Sequence, residues 1–114
     1  MALRLIALVV LFPLIVWTAA DAETQTFCVK MQAPKYYEKY NGAVAEVTIK
    51  KAMSLSLTVH YANGGRKTYN VPFLANELYI NQDSSVSVSI RDQGNEIYFS
   101  DPERDDWFSA TRCN

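Results

Sequence analysis

The feature that most constrains this chain is an alternation of apolar and polar residues with a period of two. Between residues 53 and 61, Met53, Leu55, Leu57, Val59 and Tyr61 share one face, and Ser54, Ser56, Thr58 and His60 share the other. Val86, Val88 and Ile90 alternate with Ser85, Ser87, Ser89 and Arg91. Phe27, Val29 and Met31 alternate with Thr26, Cys28, Lys30 and Gln32, and Ala45, Val47 and Ile49 alternate with Glu46, Thr48 and Lys50. Successive side chains of a strand point to opposite faces, so this period predicts strands with one dry and one wet face. That pattern is typical of antiparallel sheet.

The punctuation between these runs agrees. Asn63-Gly64-Gly65 is a hairpin signal, because Asn and Gly tolerate the positive φ that tight hairpins require. Asp92-Gln93-Gly94-Asn95 is a second, residues 81–84 make a third, and Asn41-Gly42 ends a tyrosine-rich loop. Shorter strands are expected at 67–73, 77–81, 96–100 and 107–112. The segment "SDPERDDW" reads as a loop with one helical turn, capped by Asp101 with Pro102 in its first position. Seven to eight short strands at hairpin spacing argue for an all-β sandwich or small barrel. The expectation adopted is a small antiparallel β-sandwich closed by one terminal disulfide.

The first segment stands apart from this pattern. Arg4 precedes an apolar run from Leu5 to Trp17, followed by small residues and the triplet Ala20-Asp21-Ala22. That is the layout of a secretory signal peptide. The run falls short of the ~20 apolar residues that a membrane span needs, and Pro13 interrupts it. Residues 1–22 are therefore read as the signal peptide and 23–114 as one secreted domain. Cleavage after Ala22 leaves 92 residues, with Ala20 as the other candidate position. No later apolar stretch of that length follows, so no transmembrane segment is expected after cleavage.

A domain this small buries only about 60–65% of its unfolded surface. A crosslink would help it, and Cys28 and Cys113 stand near the two ends of the exported chain. An even cysteine count in an exported protein favours a structural bridge. Two free reactive thiols are the alternative, but their spacing is unlike a redox Cys-x-x-Cys.

Net charge is −1, yet the charges segregate. Residues 23–76 carry seven Lys or Arg against three Glu, and residues 77–114 carry three Arg against eight acids. The balance disfavours a globally basic nucleic-acid binder. The two halves either attract each other within the domain or leave a basic and an acidic face.

Three constellations could carry function. His60, the one histidine, lies on a wet strand face two residues before a hairpin turn. Nucleophilic hydrolysis needs a nucleophile, a base and an orienting group, and no Gly-x-Ser-x-Gly elbow is present. No catalytic residue and no cofactor are expected. Beside the turn, Arg66 and Lys67 make His60 part of a basic hairpin suited to contact. Lys35, Tyr36, Tyr37, Lys39 and Tyr40 form an aromatic-basic loop. Tyrosine is enriched at interfaces, so this loop reads as a recognition surface or carbohydrate platform. The competing reading is that its rings cover an open end of the fold. Asp101, Glu103, Asp105 and Asp106 form an acidic cluster. It reads either as a solvated loop or as a calcium site, since Ca²⁺ takes six to eight oxygen ligands. A glycosidase needs two carboxylates across a cleft, for which a domain this small has little room.

Two resemblances follow from these residues. With "TFCVKM" (Thr26 to Met31) as a cysteine-bearing first strand followed by hairpin-linked strands, the exported chain resembles small secreted effectors of plant-pathogenic fungi. The resemblance is to the β-sandwich class called MAX effectors. It implies binding to host proteins through surface strands and loops, and no catalytic residues. In most of that family the first-strand cysteine is bridged well before the chain end, whereas Cys113 stands at the end. The segment "SVSVSIRDQGNEIYFSDPERDDWFSA" is similar to the end of a C2 domain, which implies calcium binding, although Asp92-Gln93-Gly94 stands where that family has Asp-x-Asp. The leading expectation is a secreted, non-enzymatic effector or toxin-like protein that binds a host or extracellular protein, with uptake into host cells left open. The alternative is an extracellular binder of calcium, lipid or carbohydrate.

Overall fold

A computed structural model describes residues 22–113. Residues 1–21, on which the signal-peptide reading rests, lie outside the described residues, as does Asn114. Eight strands follow in order: β1 (Ala22–Gln32), β2 (Val44–Lys50), β3 (Ser54–His60), β4 (Arg66–Ala75), β5 (Leu78–Asn81), β6 (Val86–Arg91), β7 (Glu96–Asp101) and β8 (Asp106–Arg112). A short 3-10 turn (Pro34–Tyr36) leads into α1 (Tyr37–Tyr40) between β1 and β2. Two further 3-10 turns, Asp92–Gly94 and Pro102–Arg104, join β6 to β7 and β7 to β8.

Each strand pairs antiparallel with its sequence neighbour, and β1 also pairs with β8, so the sheet closes into a barrel. The expected sandwich is corrected here. Hairpin spacing reports neighbours along the chain and is the same for both architectures. The deciding contact is the β1–β8 seam, between residues some 80 positions apart. β1 is long enough to serve both sides: its first part lies along β2 and its last part along β8, with a register shift between Val29 and Met31. That irregularity bends β1 and turns Met31 outward, so the alternation expected for 26–32 breaks there, and Met31 is 62% exposed. Cys28 and Cys113 are bridged at this seam, where Cys28 faces Thr111 and the Cys113 N–H donates to the Thr26 carbonyl.

The inward faces fill the lumen. Phe27, Val47, Leu55, Leu57, Val59, Val71, Val88, Ile97, Phe99 and Phe108 are buried. Phe99 and Phe108, directly opposite on β7 and β8, stack with centroids 5.0 Å apart. Eight strands leave a lumen that side chains can fill, and large apolar residues on every strand do so. Burying each contributes about 1.5–3 kcal/mol relative to exposure. Met53, at the margin of the predicted run, sits in the β2–β3 turn and is largely exposed.

The Asn63 hairpin follows its chemistry. Gly64 has φ +97°, and the Asn63 Oδ1 accepts from the Gly65 N–H. Pro102 opens its 3-10 turn as expected, but Asp101 makes no capping bond there. Its place on the inward face of β7, in phase with Ile97 and Phe99, turns it into the barrel instead.

Candidate functional site

Strand direction sorts the loops into two ends. One end carries the 34–40 segment, the β3–β4 hairpin and the β7–β8 turn. The other carries the β2–β3, β4–β5 and β6–β7 turns and the start of β1.

At the first end the aromatic-basic segment closes the barrel. Tyr40 is buried against Phe108, with ring centroids 4.9 Å apart, and its hydroxyl donates to Asp106 Oδ1 at 2.7 Å. Lys39 Nζ donates to Asp106 Oδ2 at 3.2 Å and lies 4.7 Å from the Tyr36 ring centroid. The Tyr36 hydroxyl donates to the Arg104 carbonyl. Burial, then the hydrogen bond to Asp106, pushes the Tyr40 phenol far above its ordinary range, so it stays protonated and donates. Tyr69 is raised too, chiefly by burial. Tyr36, Lys39 and Tyr40 are thus committed to internal contacts, and the loop acts as a plug. Of the five proposed recognition residues, Lys35 and Tyr37 remain exposed and without a hydrogen bond to the barrel among the described residues.

The acidic cluster divides. Asp101 and Asp106 face each other across the β7–β8 hairpin and are buried, whereas Glu103 and Asp105 are exposed. Asp101 Oδ2 accepts from Arg104 Nη1 at 3.0 Å, and the same carboxylate raises the Arg104 pKa. Asp101 Oδ1 has no protein partner among the described residues. Among the described residues no three His, Cys, Asp or Glu side chains are placed to hold one metal ion together. The two buried carboxylates instead meet Tyr40, Lys39 and Arg104.

The basic hairpin stands at the same end. His60 and Arg66 are direct cross-strand partners on the outer face, and His60 Nε2 lies 3.9 Å from Glu46 Oε1. Lys67 Nζ sits 5.0 Å from the Tyr69 ring centroid. Arg66, Lys67, Thr68 and Asn70 are all exposed.

β4 also carries a feature that side-chain patterning does not reveal. The Tyr61 N–H donates to the Gly65 carbonyl, and the Phe73 N–H donates to the Met53 carbonyl. In the shared register, the odd-numbered residues of β4 therefore bond to β3. The even-numbered residues Arg66, Thr68 and Asn70 point their backbone groups the other way. On that side β5 pairs only at Phe73–Tyr79 and Ala75–Leu78. Among the described residues, the first half of β4 is thus an unpaired strand edge within an otherwise closed barrel. It ends at Pro72, which has no N–H to offer.

The opposite end is a mouth. Ile49, Phe73, Tyr79 and Ile90 line a cavity of about 640 Å³, rimmed by Glu23, Lys51, Ala52, Asn76 and Glu77. Sequence reasoning missed this group. The four apolar residues are inward positions of β2, β4, β5 and β6, and they read as ordinary core. Near their strand ends the lumen widens beyond the reach of neighbouring side chains, so Ile49, Phe73 and Ile90 are only partly buried.

Comparison of this chain with protein-family models, curated proteins and solved structures found no match.

Proposed function

We propose that this chain is an exported, non-enzymatic binding protein that engages a macromolecular partner, in the manner of a small secreted effector. The observation that carries the reading is the free edge of β4 beside the basic hairpin. An unpaired row of N–H and C=O groups is a template for an added strand, and recognition by strand addition uses such edges. Arg66 and Lys67 flank the row with positive charge, which favours an extended, acidic segment of a partner protein. The disulfide at the barrel seam is consistent with an oxidising, extracellular setting. Tyr37 and Lys35, exposed at the same end, are available to extend the contact.

The test is selection from a displayed library of extended peptides of roughly ten residues. Enriched sequences should be acidic and rich in β-branched residues. Asn70→Pro should weaken binding of a selected peptide by about tenfold or more. It removes an N–H that points away from β3, so the barrel keeps its ladder. The charge-reversed pair Arg66→Glu and Lys67→Glu should weaken the same peptide while leaving the backbone edge intact. Selected peptides indifferent to both changes would refute this mode of binding.

A further inference from the structure

We propose that the open mouth of the barrel binds a small organic monocation, an amine carried on an apolar body. Four observations support this assignment. First, the mouth is a concave space of about 640 Å³, within the roughly 300–1,000 Å³ typical of small-ligand sites. The rest of the lumen is filled by Leu, Val, Ile and Phe side chains, so the space is confined to this end. Second, its inner wall is apolar, formed by Ile49, Phe73, Tyr79 and Ile90. Third, Phe73 and Tyr79 are direct partners across β4 and β5, and their rings stand 5.5 Å apart at 68°. Two aromatic rings set at a steep angle offer a face and an edge, and ring faces attract cations. Fourth, among the described residues the side chains of the rim carry two carboxylates, Glu23 and Glu77, against one amine, Lys51.

These features select the ligand's chemistry. Ile49 and Ile90 would hold its apolar body by area burial. The Glu carboxylates and the aromatic faces favour a positive head and disfavour a carboxylate. Tyr79 lines the cavity and its phenol is raised by burial and by the charge of Glu77, so its hydroxyl remains a neutral donor or acceptor. The mouth lies at the opposite end of the barrel from the basic hairpin, so this site and the strand edge can be occupied independently.

The test uses the disulfide-bonded protein purified from a secreting host, with three probes of one shape: 2-phenylethylamine, 2-phenylethanol and 3-phenylpropanoate. Binding is read from amide and methyl shifts in isotope-labelled protein. The amine should shift Ile49, Phe73, Tyr79 and Ile90 together. It should bind about fivefold more tightly than the alcohol, as expected of a partly exposed ion pair, and the carboxylate should bind most weakly. The double change Glu23→Thr and Glu77→Gln should remove most of the amine's advantage over the alcohol without altering the spectrum elsewhere. Ile90→Trp should weaken all three by narrowing the apolar wall on which their bodies rest. A carboxylate that binds as well as the amine would overturn the assigned chemistry. The absence of mouth shifts with every probe would overturn the site itself. Shifts that follow the amine but lie on the outer strands would also overturn it, because they would mark surface charge alone.

Discussion

Replacing Tyr40 with Phe isolates one hydrogen bond at the plugged end of the barrel. The ring stays, with its contact to Phe108, and only the hydroxyl is lost. That hydroxyl donates to a carboxylate at 2.7 Å, and both residues are buried. Hydrogen bonds to charged groups contribute about 1.5–3 kcal/mol, and loss of one partner leaves the other to bear its desolvation. Asp106 is not abandoned, because Lys39 still donates to its other oxygen at 3.2 Å. The cost should therefore fall in the lower part of that range, at about 2 kcal/mol. For a domain of this size each kcal/mol moves the melting temperature by about 4–8 °C, so a drop of about 8–16 °C is expected. Thermal and urea unfolding of the oxidised protein at neutral pH measure it. Tyr37→Phe serves as the control, since that ring is 54% exposed and should change stability by less than about 0.5 kcal/mol. If the two variants unfold alike, the plug is not held by the Tyr40–Asp106 bond, and the loop is open to the recognition role suggested by its composition.

Two further outcomes follow from the same structure. The phenols of Tyr40, Tyr61, Tyr69 and Tyr79 are raised above their ordinary value, first by burial in each case. Below pH ~10 folded and unfolded chains both hold these protons, and stability does not depend on them. Above it the unfolded chain sheds protons that the folded chain keeps, so stability falls as pH rises. The two phenols raised furthest, Tyr40 and Tyr69, together should remove up to about 2.7 kcal/mol per pH unit. Ionisation of these four phenols should therefore coincide with the loss of circular dichroism above pH ~10, and ionisation of all seven tyrosines with an intact barrel would contradict the burial argument. Reduction of Cys28–Cys113, which spans 85 positions, should lower stability by up to about 4.5 kcal/mol in urea. A loss below about 1 kcal/mol would show that the unfolded chain is not appreciably constrained by the bridge.

Much of the wall of this barrel is legible in the alternation. Leu55, Leu57 and Val59 face inward, as do Val47, Val86 and Val88, because the period of a strand is a local property of the backbone. The Asn63 turn is local in the same sense, and its Gly64 takes the positive φ anticipated for it. The cysteine pairing was accessible because two cysteines admit a single intramolecular bridge.

The candidate functional surfaces were less legible, for reasons that differ from residue to residue. Tyr36 and Tyr40 have the composition of a recognition loop. Whether their rings face outward depends on a barrel end waiting to be covered, and that end exists only once β1 meets β8. Asp101 and Asp106 read as members of a four-carboxylate cluster, a solvated loop or a calcium site, because carboxylates favour water or a cation. Their inward phase on β7 and β8 sends them into the barrel, where Arg104, Lys39 and Tyr40 compensate their burial. The edge of β4 is invisible to side-chain patterning, since it arises from the shortness of β5. The sequence by itself therefore determined the strands, the inward-facing stripes, the turns and the bridge, all set by backbone period, φ preference and cysteine count. The tertiary structure alone decided between sandwich and barrel, and with it which end is plugged, which edge is free and which end is open. Those outcomes depend on contacts between residues distant in the chain, whose free energy no local window contains.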